Sequence, residues 1–105
     1  MSTPVVVTAY FYPAPGQHDQ VVQALRPAIA AVHEESGCEL YTIHDAPDGT
    51  IVMIEKWSSV DELDDHGAGE AVRALNASLE GLLASPVEVT RLVPIPAGTE
   101  KQGQL

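Results

Sequence analysis

The sequence predicts an α+β domain in which four strands and two helical regions follow the order β-α-β-β-α-β. Three observations predict it. Residues 5–12 and 51–57 are short runs of β-branched, bulky apolar and aromatic residues bounded by turn formers. Residues 17–35 and 68–83 carry apolar residues at helical spacing. Between the two central strand-like runs stands Ala46-Pro47-Asp48-Gly49, four turn residues of the kind that close an antiparallel hairpin.

The first strand, Val5 to Tyr12, places Val5, Val7, Ala9 and Phe11 on one face and Val6, Thr8, Tyr10 and Tyr12 on the other. Pro13-Ala14-Pro15-Gly16 ends it, because the prolines remove ladder donors. From Gln17 to about Glu35 an amphipathic helix aligns Val21, Leu25, Ala28 and Val32, with Val22 and Ile29 beside them. Pro27 is expected to kink or split it, and Gly37 to cap it. The second strand spans Cys38 to about Asp45, and the third is Ile51 to Trp57. Both faces of the third are largely apolar, so it should be covered on both sides. Ser59 with Glu62 forms a capping box for a short helix running to about His66. After Gly67 and Gly69 a longer helix is expected to bury Ala68, Ala71, Val72, Leu75, Leu79, Leu82 and Leu83, stopped by Ser85-Pro86. Val87 to Val93 alternates as a fourth strand, Val87, Val89, Arg91 and Val93 against Glu88, Thr90 and Leu92. This is the ferredoxin-like order. The domain is placed at 1–96, with a polar, mobile tail over 97–105. Two helical regions cover only one sheet face. Val6, Tyr10, Ile43, Val52 and Ile54 make the other apolar too, so it is expected to pack on a second copy by two-fold symmetry.

Fifteen acidic against five basic side chains give a formal charge of −10, which argues against nucleic acid and anionic membranes as partners. No apolar run approaches membrane-spanning length, and Met1-Ser2-Thr3-Pro4 lacks the basic and apolar regions of a signal peptide. The single cysteine, Cys38, excludes an intrachain disulfide and a cysteine-built zinc site. These features together read as a cytoplasmic protein, and with no His-x-x-x-His, no Cys pair and no His–carboxylate cluster at ligand spacing, no metal is expected.

Glu55 is the first candidate for chemistry, since a carboxylate on a buried strand face is costly unless partnered. Its structural alternative is an ion pair with Arg91 on a neighbouring strand, or the capping of backbone donors. His66, ending the short helix, suits general-base work near neutral pH. Trp57 offers an apolar wall for a flat ring, and Tyr41 a phenol for hydrogen bonding. His18 and His33 read as surface residues, and His44 as a solvated strand end.

Several stretches resemble the antibiotic biosynthesis monooxygenase (ABM) domains: Pro15-Gly16-Gln17-His18, Glu34-Glu35-Ser36-Gly37-Cys38 with Tyr41, Val52-Met53-Ile54-Glu55-Lys56-Trp57, and His66 beyond them. The resemblance covers nearly the whole chain except the tail, and is nearest to small bacterial quinol monooxygenases. It implies a ferredoxin-like, dimeric α/β-barrel fold. Haem-degrading members require residues that Thr8 or Ala9, His66 and Asn76 do not supply. In the cofactor-free polyketide-tailoring members a His and a Trp line the pocket, and His44 and Trp57 match them. Met53 and Leu63 stand where those enzymes carry an Asn and a Tyr, which makes the pocket less polar. The implied function is cofactor-independent oxidation of a quinol or phenolic polycyclic substrate by O2. His66 would be the base, Glu55 would orient it or a water, and Trp57, Met53, Leu63, Tyr41 and His44 would contact substrate. A non-catalytic dimeric module binding a small metabolite, or an isomerase or cyclase, are the alternatives.

Overall fold

The computed structural model describes residues 3–105. Met1 and Ser2, on which part of the N-terminal reading and the first two positions of the expected domain fall, lie outside them. The order is β1 (Val5–Phe11), α1 (His18–Val32), β2 (Cys38–Asp45), β3 (Ile51–Trp57), α2 (Val60–Gly67), α3 (Glu70–Leu79) and β4 (Glu88–Leu92). The strands form one sheet in the order β2-β3-β1-β4, every neighbouring pair antiparallel. The fold is thus ferredoxin-like, with the second helical region divided in two.

The helices cover one sheet face. Val5, Val7, Ala9 and Phe11 of β1 meet Val21, Leu25, Ala28 and Val32 of α1 in one buried cluster, with Leu63 of α2 and Leu75 and Leu79 of α3. Pro27 neither splits α1 nor ends it: one helix runs from His18 to Val32. Pro27 is exposed, so the carbonyl four residues back, deprived of its donor, lies on the solvated side of the helix. The C-terminus departs from expectation as well. α1 stops at Val32, and Gly37 takes its left-handed φ of 82° only after a further turn.

The end of α3 corrects the sequence reading. It stops at Leu79, before Gly81 at φ 80°, and not at Ser85-Pro86. Leu82 and Leu83 keep helical spacing but lie in the turn after α3, where the Leu82 N–H donates to the Leu79 carbonyl at 3.0 Å, and in an isolated bridge to Pro13. The Ala14 N–H donates to the Leu82 carbonyl at 2.8 Å and the Ala84 N–H to the Tyr12 carbonyl at 2.7 Å. Ala68 is likewise exposed in the α2–α3 junction and not buried.

On the opposite face Thr8, Tyr10, Val52 and Ile54 are half-buried. Ile43, expected there, instead pairs with Met53 and packs against the core. Over residues 97–105 the Gly103 N–H donates to Thr99 at 2.8 Å, and the Lys56 ammonium donates to the Leu105 carbonyl. Among the described residues, no helix is long and apolar enough to cross a membrane.

Candidate active site

The pleat of β3 decides which side chains reach the space beneath the helices. Ile51, Met53, Glu55 and Trp57 are buried, and Val52, Ile54 and Lys56 alternate with them on the open face. In register across the sheet, Tyr41, Glu55, Val7 and Arg91 form one row, and Ile43, Met53, Ala9 and Val89 the next. Between these rows and the helices lies a cavity of about 280 Å³. Tyr41, Met53, Glu55, Leu63 and His66 all line it. Its outer rim is β4, where the Val89 side is 62% exposed.

Glu55 is 5% exposed. Oε1 accepts the Trp57 indole N–H at 2.9 Å, and Oε2 has no protein donor among the described residues. Burial pushes its carboxyl above the ordinary glutamate range. The indole hydrogen bond and the nearby imidazole act the other way, and the Glu35 charge adds to the rise. The alternative of an ion pair with Arg91 does not form: the Arg91 guanidinium donates to Asp64 Oδ1 at 2.8 Å, tying β4 to α2 at the rim.

His66 is 7% exposed, and its Nδ1 lies 2.7 Å from Glu35 Oε1. Its ring stacks on Trp57 with centroids 4.5 Å apart and planes inclined by 31°. Tyr41 meets both rings edge-on, at 5.4 Å from His66 and 6.4 Å from Trp57. The imidazole is therefore fixed in plane by an aromatic wall and in rotation by a carboxylate. With the proton on Nδ1 and donated to Glu35, Nε2 keeps its lone pair as an acceptor. The Tyr41 phenol is driven far above its ordinary pKa, first by burial and then by the Glu55 and Glu35 charges. It stays a neutral O–H donor through the working pH range.

The carboxylate that holds His66 is thus Glu35 and not Glu55, which corrects the first of the two roles expected of Glu55, to orient the imidazole or a water. Glu35 stood within a quoted motif without a role. Trp57 is fully buried and does not line the cavity; it supports the two groups that do, instead of offering its own face to a ligand. His44 is a further correction. Strand alternation sends Tyr41 and Ile43 inward and His44 outward beside Val52, where its Nδ1 reaches the Val52 carbonyl at 3.1 Å and the residue is exposed. Of the residues expected at the surface, His18 bridges to Asp45 at 2.7 Å and Asp19 at 3.1 Å, and exposed His33 bonds the Tyr41 carbonyl at 3.1 Å. Asn76, Val89 and Arg91 line the cavity as well, none of them among the residues expected to contact substrate. Among the described residues, no three His, Cys, Asp or Glu side chains stand close enough to hold one metal ion.

The chemistry available is that of a fixed acceptor nitrogen, a buried carboxyl whose pKa burial raises and a neutral phenol around an apolar space. Comparison with known proteins finds relatives along most of the chain. The family profile described as "Antibiotic biosynthesis monooxygenase" matches residues 4–78. A Mycobacterium tuberculosis protein named "Putative monooxygenase Rv0793" is 32% identical over 96 residues, which is 90% of this chain and 95% of that one. Its solved structure aligns with a TM-score of 0.84 at 31% identity, covering 92% of this chain and 100% of the other. PA3566 from Pseudomonas aeruginosa aligns with a TM-score of 0.81 at 29% identity, over 90% and 97% of the two chains.

Proposed function

Because the chain belongs to the antibiotic biosynthesis monooxygenase family, we propose that it is a cofactor-independent monooxygenase of quinols or related phenols, with His66 as the base. The observation that carries this reading is the His66 ring, held between Trp57 and Glu35 on the wall of a largely apolar cavity. A cavity of about 280 Å³ sits at the small end of ligand sites, roughly 300–1,000 Å³, and suits one or two fused rings.

His66 Nε2 takes the proton of a substrate hydroxyl while Glu35 steadies the imidazolium that results. The substrate anion is electron-rich enough to pass one electron to O2. The radical pair recombines at a ring carbon bearing hydrogen to give a hydroperoxide, and loss of water leaves a carbonyl there. One oxygen atom enters the product and the other leaves as water. Tyr41 donates to the substrate oxygen as charge gathers on it, in a space where few waters compete. Glu55, raised in pKa and aimed into the same space, returns a proton to the departing peroxide oxygen.

The test is O2 uptake with a panel of menadiol-like quinols and polycyclic phenols, using metal-free and flavin-free protein. The expected result is oxidation faster than autoxidation, with one oxygen atom of 18O2 found in the product. Binding without acceleration would favour a non-catalytic metabolite-binding module, and turnover without O2 uptake an isomerase or cyclase.

The same proposal includes a homodimer through the open sheet face. Half-buried Tyr10, Val52 and Ile54 lie there, and Leu92, Val93 and Ile95 stand 43%, 69% and 86% exposed along the adjoining edge. Contiguous apolar surface of this kind favours association. Sedimentation equilibrium at micromolar concentration is expected to give twice the 11.1 kDa chain mass; a single-chain mass would overturn the proposal.

A further inference from the structure

Two residues of α2 one turn apart, Glu62 and His66, grip two adjacent residues of the segment entering β2. His66 meets Glu35, and Glu62 Oε2 accepts from Ser36 Oγ at 2.7 Å. The Glu62 carboxylate is the hub of a larger cluster. Oε1 also accepts from Ser58 Oγ and, at 3.2 Å, from Ser59 Oγ, whose hydroxyl in turn caps the Glu62 N–H at 3.2 Å. Gly37 leaves room for this contact: a Cβ added there would fall 2.3 Å from Glu62 Cδ. The Ser58 N–H donates to the Gly37 carbonyl at 2.9 Å, fastening the same segment to the end of β3.

From this arrangement we infer that Glu62 is a positioning residue for the Glu35–His66 pair, pinning the 35–37 segment onto α2 so that the Glu35 carboxylate reaches Nδ1. The inference rests on the reading of His66 as the base. Glu62 is absent from the cavity wall, so its effect on chemistry passes through Glu35. The Glu35 side chain has no hydrogen-bond partner other than His66 among the described residues, and its side chain is 26% exposed. Its place is therefore set by the backbone that carries it, which is turned by bonds from the Glu35 N–H to the Val32 carbonyl at 2.9 Å and from the Cys38 N–H to the Glu35 carbonyl at 3.3 Å, and fastened to α2 and the end of β3 through Ser36 and Gly37. Hydrogen bonds from Ser58 and Ser36 keep the Glu62 carboxyl below the usual range, so it stays an anion with acceptor capacity for three hydroxyls. The sequence shows Ser59 and Glu62 only as a capping box. The structure gives the same carboxylate a second task across the chain.

The test joins a spectroscopic readout to kinetics. In protein with 15N-labelled histidine, the Nδ1–H of His66 is expected as a slowly exchanging resonance, assigned by its loss in His66→Ala. Glu62→Ala should speed its exchange by about tenfold and lower kcat by about tenfold, the scale of a small misplacement of a catalytic group, with KM within twofold. Ser36→Ala and Glu62→Gln, which disturb the fold less, should move both quantities in the same direction by smaller amounts. If Glu62→Ala lowers only the melting temperature and leaves both the resonance and kcat unchanged, the inference is wrong. Full activity of His66→Ala would instead overturn the base assignment, and the resonance of Glu62→Ala would still decide whether Glu62 positions the pair.

Discussion

Replacing His66 by alanine is expected to lower kcat for quinol oxidation by about 10²–10⁴-fold, the usual contribution of a positioned general base. Affinity for an unreactive quinone of the same shape should stay within a few-fold, because His66 is one contact among many around the cavity. Glu35→Gln should lose less, since an amide oxygen still accepts the Nδ1 hydrogen but no longer carries the charge that stabilises an imidazolium. Glu35→Ala should fall between the two. The measurements are initial O2 uptake corrected for autoxidation, and calorimetric titration with the quinone. A His66→Ala protein retaining most of the wild-type rate would remove the imidazole from the mechanism. Loss of rate and affinity together would mark the ring as a binding wall.

Glu55→Gln should be more stable than the natural protein at neutral and alkaline pH, and slower. The sign follows from burial. An unfolded glutamate ionises at about 4.3, whereas folding pushes Glu55 higher. Below both values the carboxyl is neutral in either state, and its full contribution to stability is present. As pH rises through the folded value the group must ionise inside the protein, and that stability is lost. Glutamine cannot ionise, and its amide oxygen still accepts the Trp57 indole hydrogen. Melting temperatures of the two proteins should thus converge near pH 4 and separate by pH 8, with the variant higher. Activity should fall at least about tenfold, in the usual exchange of function for stability at a buried polar site. A variant less stable at pH 8, or equally active, would show that the ionised carboxylate is part of the fold's support and not a burden carried for function.

Much of this was legible in the residues, for physical reasons that can be located. Alternation along Ile51 to Trp57 put Glu55 and Trp57 on one face, and the hairpin turn and the capping box at Ser59 gave the topology around it. Direction was harder. That face could have met the helices or a second subunit, and only β1 pairing Val7 with Glu55 and Val5 with Trp57 beneath α1 decides it. His44 is the solvated strand end that its own position implies, and the substrate contact implied by the match to related enzymes fails because strand alternation turns the ring outward. Ile43 faces the core because it pairs with buried Met53, a register that the residues of β2 alone do not display. Glu35 carried no signal, since a carboxylate in a turn has no period to reveal where it points. Leu82 and Leu83 imitated helix by spacing alone, while Gly81 had already broken it.

β3 pairs residue for residue with β1 from Ile51 to Trp57, and with β2 as far as Lys56 opposite Leu40, beyond which a one-residue irregularity at Glu39 sets Trp57 against Cys38. Gaining or losing one residue within it would exchange its two faces, bringing Ile54 and Lys56 under the helices and carrying Glu55 and Trp57 away. Descendants of this chain can therefore explore new substrates by replacing side chains along the rows Tyr41–Glu55–Val7–Arg91 and Ile43–Met53–Ala9–Val89. Changes of length are confined to places outside the ladders, such as the turn at 46–49, the segment at 80–86 and the residues beyond β4. Diversification in this architecture should read as substitution inside the sheet and as insertion around its edges.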